Sequence, residues 1–333
     1  MTTRRQVALA LGLGAFAAPL ASFAQQPAKV FRVGLLQLGS ASSGANRLKA
    51  LRAGLRDLGY VEGKNLVIDS RWGEGKYDRL PKLAAELVQL KVDVIVTSAA
   101  PVVVVAKRAT STIPIVMAAT GDPVGGGLAD SLARPGGNVT GLTLMSTELV
   151  GKWLQIVREL SPGASRAAVL ALATASGTPA SGTRLLVEEL RPMARKMNIQ
   201  LVVAMLTEAA DVPNAFAVMQ RERTQALIVQ VNPISFDHRA QIVELAAKQR
   251  LVAIYEGSDF ADAGGLISYG PNQEEMWRRA ATYVDKILKG AKPGDLPIEQ
   301  PSRFELVVNL KSARALGLTI PQSVLIRADR IIE

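Results

Sequence analysis

The 333-residue chain has no cysteine and a single histidine, His238. Disulfide staples are therefore absent, and a chain of this length does not need them, because its core is large enough. With one histidine and no thiol, neither a zinc site of the usual composition nor a Ser-His triad is indicated. His238 sits in Phe236-Asp237-His238-Arg239, near a predicted helix start, and reads as a surface or capping residue. No G-x-S-x-G elbow and no G-x-x-x-x-G-K-[ST] loop occurs. Gly125-Gly126-Gly127 lacks the G-x-G-x-x-G spacing of a dinucleotide site and follows the fourth predicted strand, not the first; a tight turn accounts for it. No catalytic residue, metal ligand set or cofactor is expected. Aromatic residues are also scarce, at 5%. Core volume must come from Ala, Val, Leu and Ile, the usual filling of helix-covered parallel sheets.

Charge of one sign is in excess, with a formal net charge of +10. Lys and Arg are nonetheless scattered, with no run longer than two and no interleaved aromatics. That pattern is a solvated basic surface, and no nucleic-acid partner is expected.

The first residues carry a secretory pattern. Arg4-Arg5 form a basic start, Val7 to Leu20 is a short apolar stretch, and Ser22-Phe23-Ala24 is a small-x-small cleavage site. The stretch is too short and too rich in Ala and Gly for a membrane-spanning helix. Residues 1–24 are expected to be a signal peptide, of Sec or twin-arginine type, and the mature chain to reside in the periplasm. Removing them takes away Arg4 and Arg5 and no acid, which leaves +8. No cysteine follows to accept a lipid, so no lipid anchor is expected.

Beyond the signal, short apolar runs of strand length alternate with segments of helical periodicity. Strands are predicted at Phe31 to Gln37, from Leu66, and at Val92 to Thr97, Ile113 to Ala118, Val139 to Leu144, Ala167 to Leu172, Leu201 to Ala204, Ala226 to Val231, Leu251 to Ile254, Gly265 to Gly270 and Phe304 to Val308. Between them lie helices: Leu48, Leu51, Leu55 and Leu58 share one face, Asp78 is a predicted cap for the next, and Ile234 to Arg250 reads as one helix. Pro192 is expected to kink or divide the helix that holds it. Such alternation implies an α/β fold with parallel sheets and right-handed crossovers. Two series of βα units, the second returning to the first, imply two Rossmann-like lobes joined by a multi-strand hinge. The expected division is 30–142 plus 271–298 for the first lobe and 143–270 plus 299–333 for the second. Residues 251–272 read as one wall of the cleft and one hinge strand.

In open α/β sheets, ligands bind beyond the carboxyl ends of the strands. In the first lobe Ser40, Ser42, Ser98, Ala99, Thr120 and Asp122 follow predicted strand ends. Ser98-Ala99-Ala100 leads into a helix N-terminus, where free backbone N–H groups and the dipole favour an anion such as a carboxylate. Asp122 is placed either to accept an ammonium group or to cap its own turn. In the second lobe Asn232, Tyr255, Glu256 and Asp259 stand at strand ends. Glu256 and Asp259 each read as a cation partner or a solvated acid, and Tyr255 as a stacking platform or a core residue.

Five segments carry a family likeness: Leu55 to Asn65 (LRDLGYVEGKN), Gly121 to Gly125 (GDPVG), Leu132 to Gly141 (LARPGGNVTG), Ala263 to Asn272 (AGGLISYGPN) and Asn309 to Pro321 (NLKSARALGLTIP). On these the chain resembles solute-binding proteins of bacterial ABC transporters with the type I periplasmic-binding fold. More narrowly, it is similar to the subfamily that includes tryptophan and aromatic-amino-acid binders. The resemblance implies a monomeric protein that closes two lobes over a small-molecule solute and docks on an ABC permease at the inner membrane. It implies that first-lobe strand-end loops hold the solute's polar groups, matching Ser40, Ser98, Thr120 and Asp122. In the second lobe the chain departs from its relatives, with Ala173-Thr174-Ala175-Ser176 and Val231-Asn232-Pro233 in place of their more usual residues. An amino acid, aromatic ones included, or a related carboxylate is the expected solute. A periplasmic sensor that presents a solute to a membrane receptor is the alternative role.

Overall fold

The computed structural model describes residues 29–333 apart from 145, 146 and 175. The expected signal, residues 1–24, lies outside the described residues. The first part of the chain runs β1 (Phe31–Gln37), α1 (Ala45–Asp57), β2 (Leu66–Trp72), α2 (Leu80–Gln89), β3 (Val94–Ser98), α3 (Ala100–Ala109), β4 (Ile115–Thr120) and β5 (Val139–Thr143). The second part runs α4 (Thr147–Leu160), β6 (Arg166–Leu172), α5 (Ser181–Lys196), β7 (Gln200–Leu206), α6 (Asp211–Arg221), β8 (Ala226–Val229), α7 (Pro233–Asp237), α8 (Arg239–Lys248), β9 (Val252–Tyr255), α9 (Ser258–Asp262) and β10 (Ile267–Gly270). The chain ends with α10 (Gln273–Leu288), β11 (Glu305–Asn309), α11 (Leu310–Leu316), α12 (Gln322–Leu325) and β12 (Arg330–Ile332).

Two sheets result. The first has the order β2-β1-β3-β4-β5 with every pairing parallel. The second has the order β12-β11-β10-β9-β8-β6-β7 and is parallel except where β11 meets β10 antiparallel. The strands are apolar without a polar face because both faces are covered. Successive residues are sorted to opposite sides: Val33, Leu35, Val94 and Val96 pack under α1 and α10, while Leu36, Ile95, Ile115 and Met117 pack under α2 and α3. The second sheet repeats the sorting, with Ala167, Val169 and Ala171 on one side and Ala168, Leu170 and Leu172 on the other. Each lobe centres one fully buried tryptophan, Trp277 of α10 in the first and Trp153 of α4 in the second. Trp153 Nε1 donates to the Tyr269 carbonyl at 2.6 Å, tying α4 to the strand that precedes α10.

Several local expectations are corrected. Pro192 lies inside an unbroken α5, whose Leu186, Leu190 and Ala194 are seated in the core on both sides of it; that packing outweighs the missing N–H. The predicted helix from Ile234 to Arg250 is two helices, because the backbone turns out of helical geometry at His238. Asp78 makes no cap; α2 is approached through a 3-10 turn that starts after Lys76. Among the described residues no helix is long and apolar enough to cross a membrane.

Candidate functional site

In each sheet the strand order reverses once near the chain start of the lobe: at β1/β3 in the first and at β6/β8 in the second. Crevices at such switch points are where open α/β sheets take ligands. Both crevices open on the same void, a cavity of about 50 Å³ that lies between the lobes. A single water needs roughly 10–15 Å³ of cavity, so the void holds several.

From the first lobe come residues 98–101, Ala119, Gly121 and Arg47, and from the crossover just past β5 comes Leu144. Ser98 is buried and donates its hydroxyl to Gln37 Oε1 at 2.8 Å, which clamps the end of β3 to the end of β1. The next residue, Ala99, has φ 63° and ψ 127°, so the chain turns abruptly into α3. No side chain caps α3, and its N-terminal end is left facing the void. From the second lobe come Leu172, Ala180, Gly182, Thr183 and residues 230–233. Thr183 donates to the Leu172 carbonyl at 2.8 Å and to Gln230 Oε1 at 3.0 Å, closing the β6/β8 crevice much as Ser98 closes the other. Asn232 caps α7 through a reciprocal pair with Ser235. Gln273, first residue of α10, completes the lining.

Electrostatically the void is positive. The N-termini of α3, α5 and α10 meet at it, each carrying the partial positive charge of its helix. Arg47 adds a full charge. Its Nε and Nη2 are out of solvent and have no hydrogen-bond partner among the described residues. Burial lowers its pKa to about 10, opposed by Asp259 and Asp237 acting through space, so the guanidinium stays charged at neutral pH. Its carbon lies 3.9 Å from the ring centroid of Phe236, across the cleft. Gln273 Nε2 is likewise buried and unpartnered. Two buried donors turned to a cavity without a protein acceptor mark a place for an acceptor that is not protein.

Comparison with known proteins agrees. The model of the ABC transporter substrate binding protein family matches residues 32–332. The chain belongs to that family. The "Tyrosine-binding protein" of Clostridioides difficile (strain R20291) is 26% identical over 286 residues, covering 86% of this chain and 81% of its own. A crystal structure of a conserved domain protein from Vibrio cholerae superposes with TM-score 0.84 at 29% identity, over 91% of this chain and all of the other. An ABC domain from Streptococcus pneumoniae in complex with L-Trp superposes with TM-score 0.83 at 26% identity, with the same coverage. The fold is that of type I periplasmic-binding proteins.

Within this substrate-binding protein the residues singled out in the sequence fall into two groups. Ser98, Ala99 and Asn232 line the void. Thr120 is buried between two lining residues, its Oγ1 unpartnered among the described residues. Ser40 and Ser42 bond each other at 3.0 Å in the loop after β1, outside the lining. Asp122 accepts from the Gly125 N–H at 2.8 Å and serves as a turn cap. Tyr255 points away from the cleft into the core, stacked on Phe260 with centroids 5.0 Å apart. Glu256 is buried and accepts from the Val231 N–H at 2.7 Å, holding a lining segment from behind. Burial raises its pKa to about 7, with the Val231 hydrogen bond pulling the other way. Asp259 is half-buried in the first turn of α9 and reaches Arg47 only through space.

Arg47, Thr183, Gln230 and Gln273 were not singled out. Thr183 follows a small-residue loop at a helix start, and Gln230 is the one amide in an otherwise apolar strand end; both signals are present in the sequence. Arg47 gives none, since it precedes Leu48 on a helix with several other basic residues.

Proposed function

We propose that this chain is the periplasmic solute-binding component of an ABC importer. It captures a small carboxylate-bearing organic solute, an amino acid or a related acid, between two closing lobes. The observation that carries this reading is the inter-lobe void with half-buried Arg47 at its wall, its Nε and Nη2 out of solvent and without a partner among the described residues, and three helix N-termini around it. A carboxylate would satisfy the guanidinium with paired N–H···O bonds and sit favourably at the helix ends. Because the contacts come from both lobes, the guest stabilises the shut form over the open one. Membership of the family supports delivery to a permease. The lobe boundaries at 142/143, 270/271 and 298/299, a cleaved signal over residues 1–24 and a monomeric state complete the proposal.

The test is calorimetry on the mature protein with a panel of amino acids, aromatic acids and other small acids, alongside sugars as controls. Tyrosine and tryptophan head the panel, since relatives are named for them or hold them. A micromolar dissociation constant corresponds to about −8 kcal/mol, within reach of one charged pair and a few buried hydrogen bonds. Failure of every solute to bind would refute the reading.

A further inference from the structure

The void is unbalanced in charge. Arg47 is the one charged residue among the described residues that line it, and no carboxylate joins it there. An α-amino acid needs both a cationic and an anionic partner. None of the nearby acids lines the void, and two of them are bonded to protein groups. Asp122 caps its own turn through the Gly125 N–H. Glu256 is turned to the Val231 N–H behind the lining. Asp237 stands by the loop after β1, where a Cβ on Gly39 would lie 3.0 Å from its Oδ2. Asp259 lies beyond ion-pair distance of Arg47 and outside the lining, as does Asp237. An ammonium placed in this void would face the guanidinium and three positive helix ends. The rest of the lining joins polar side chains already bonded to protein groups, Ser98, Thr183, Gln230 and Asn232, to apolar surface, chiefly Leu144, Leu172, Val231 and Pro233.

We infer that the solute is a compact carboxylate that carries no ammonium group, with its carboxylate on Arg47 and Gln273 and its apolar part against Leu144, Leu172 and Val231. The inference rests on the solute-binding reading and narrows it: the guest is a simple organic acid and not the amino acid from which it differs by one substituent. Desolvating an unpaired ammonium beside a like charge is the source of the discrimination.

Calorimetry with matched pairs tests it: L-tyrosine against 3-(4-hydroxyphenyl)propionate, L-tryptophan against 3-(indol-3-yl)propionate, and L-valine against 3-methylbutanoate. In at least one pair the acid should bind about tenfold or more tightly than its amino counterpart. Arg47→Gln should weaken that acid by at least about tenfold, and Arg47→Lys, which keeps the charge, by less. An amino acid that binds as tightly as its acid, or more tightly, overturns the inference and leaves the solute-binding function standing. Absence of binding by all six probes is resolved by identifying the small molecules released when the purified protein is denatured. An amine-free carboxylate among them supports the inference, and an amino acid overturns it. No released solute, together with no binding across the wider panel, overturns both.

Discussion

Gly121 and Gly182, from opposite lobes, meet backbone to backbone: a Cβ on Gly121 would stand 2.9 Å from the Cα of Gly182, and one on Gly182 would stand 3.0 Å from the Cα of Gly121. Beside them Ser181 Oγ donates to the Asp122 carbonyl at 3.1 Å and Arg184 Nη2 donates to the Gly125 carbonyl at 3.1 Å. Here the lobes come into register, and it is a backbone contact that no side chain can yield to. Gly121→Ala and Gly182→Ala should each hold the lobes slightly apart. Solute affinity should fall by about tenfold or more, while unfolding free energy without solute changes by less than about 1 kcal/mol. Calorimetry and chemical denaturation measure the two; a stability loss matching the affinity loss would contradict the prediction.

Glu256 sets a pH dependence of stability. Burial raises its folded-state pKa from 4.5 to about 7. Between those values the folded protein binds a proton that the unfolded chain has released, so this group favours folding at low pH and loses that contribution as pH rises through about 7. Glu256→Gln retains an acceptor for the Val231 N–H and has no charge to bury. The variant should therefore be more stable than the parent at pH 8 and nearly equal to it near pH 4.5. Melting curves across that range check it.

Ala99 occupies a backbone conformation, φ 63° and ψ 127°, that side-chain-bearing residues rarely adopt. Such strain costs about 1–3 kcal/mol, whereas glycine costs roughly 0.5–1 kcal/mol in unfolded-chain entropy. Relief wins. Ala99→Gly should raise unfolding free energy by about 1 kcal/mol, and a measured decrease would show that the turn is not strained.

Asp122 distinguishes a cap from a binding group. Asp122→Ala removes the acceptor for the Gly125 N–H and should cost about 1 kcal/mol of stability. Solute affinity should change by less than about threefold, since the carboxylate does not line the void. A loss beyond about tenfold would place the group in contact with the guest.

The fold was largely readable because its strands are buried on both faces. Val94–Ser98 and Ile115–Thr120 are continuous apolar runs between helical segments, and no other architecture uses many of these in alternation with helices. What escaped reading depends on distant partners. Arg330–Ile332 is a strand only because Val307, Val308 and Asn309 lie alongside it. The site was half readable for the same reason. Ser98, Ala99 and Asn232 end strands or begin helices, and their placement follows from local order. Tyr255 also ends a strand, but alternation turns it to the Phe260 side, and periodicity does not say which side is the cleft. Arg47 resembles a surface cation until Phe236 of the other lobe is brought over it.

That ring has a consequence for the empty protein. A desolvated guanidinium on an aromatic face is worth about 2 kcal/mol, and this contact needs no guest to form. Under the proposed closure of the two lobes, it would lift the share of molecules already shut before any solute arrives, by more than a factor of ten at that strength. Since the apparent dissociation constant scales inversely with the competent fraction, Phe236 would then act as a sensitivity setting: it would lower the concentration at which the protein begins to fill, without touching what fills it.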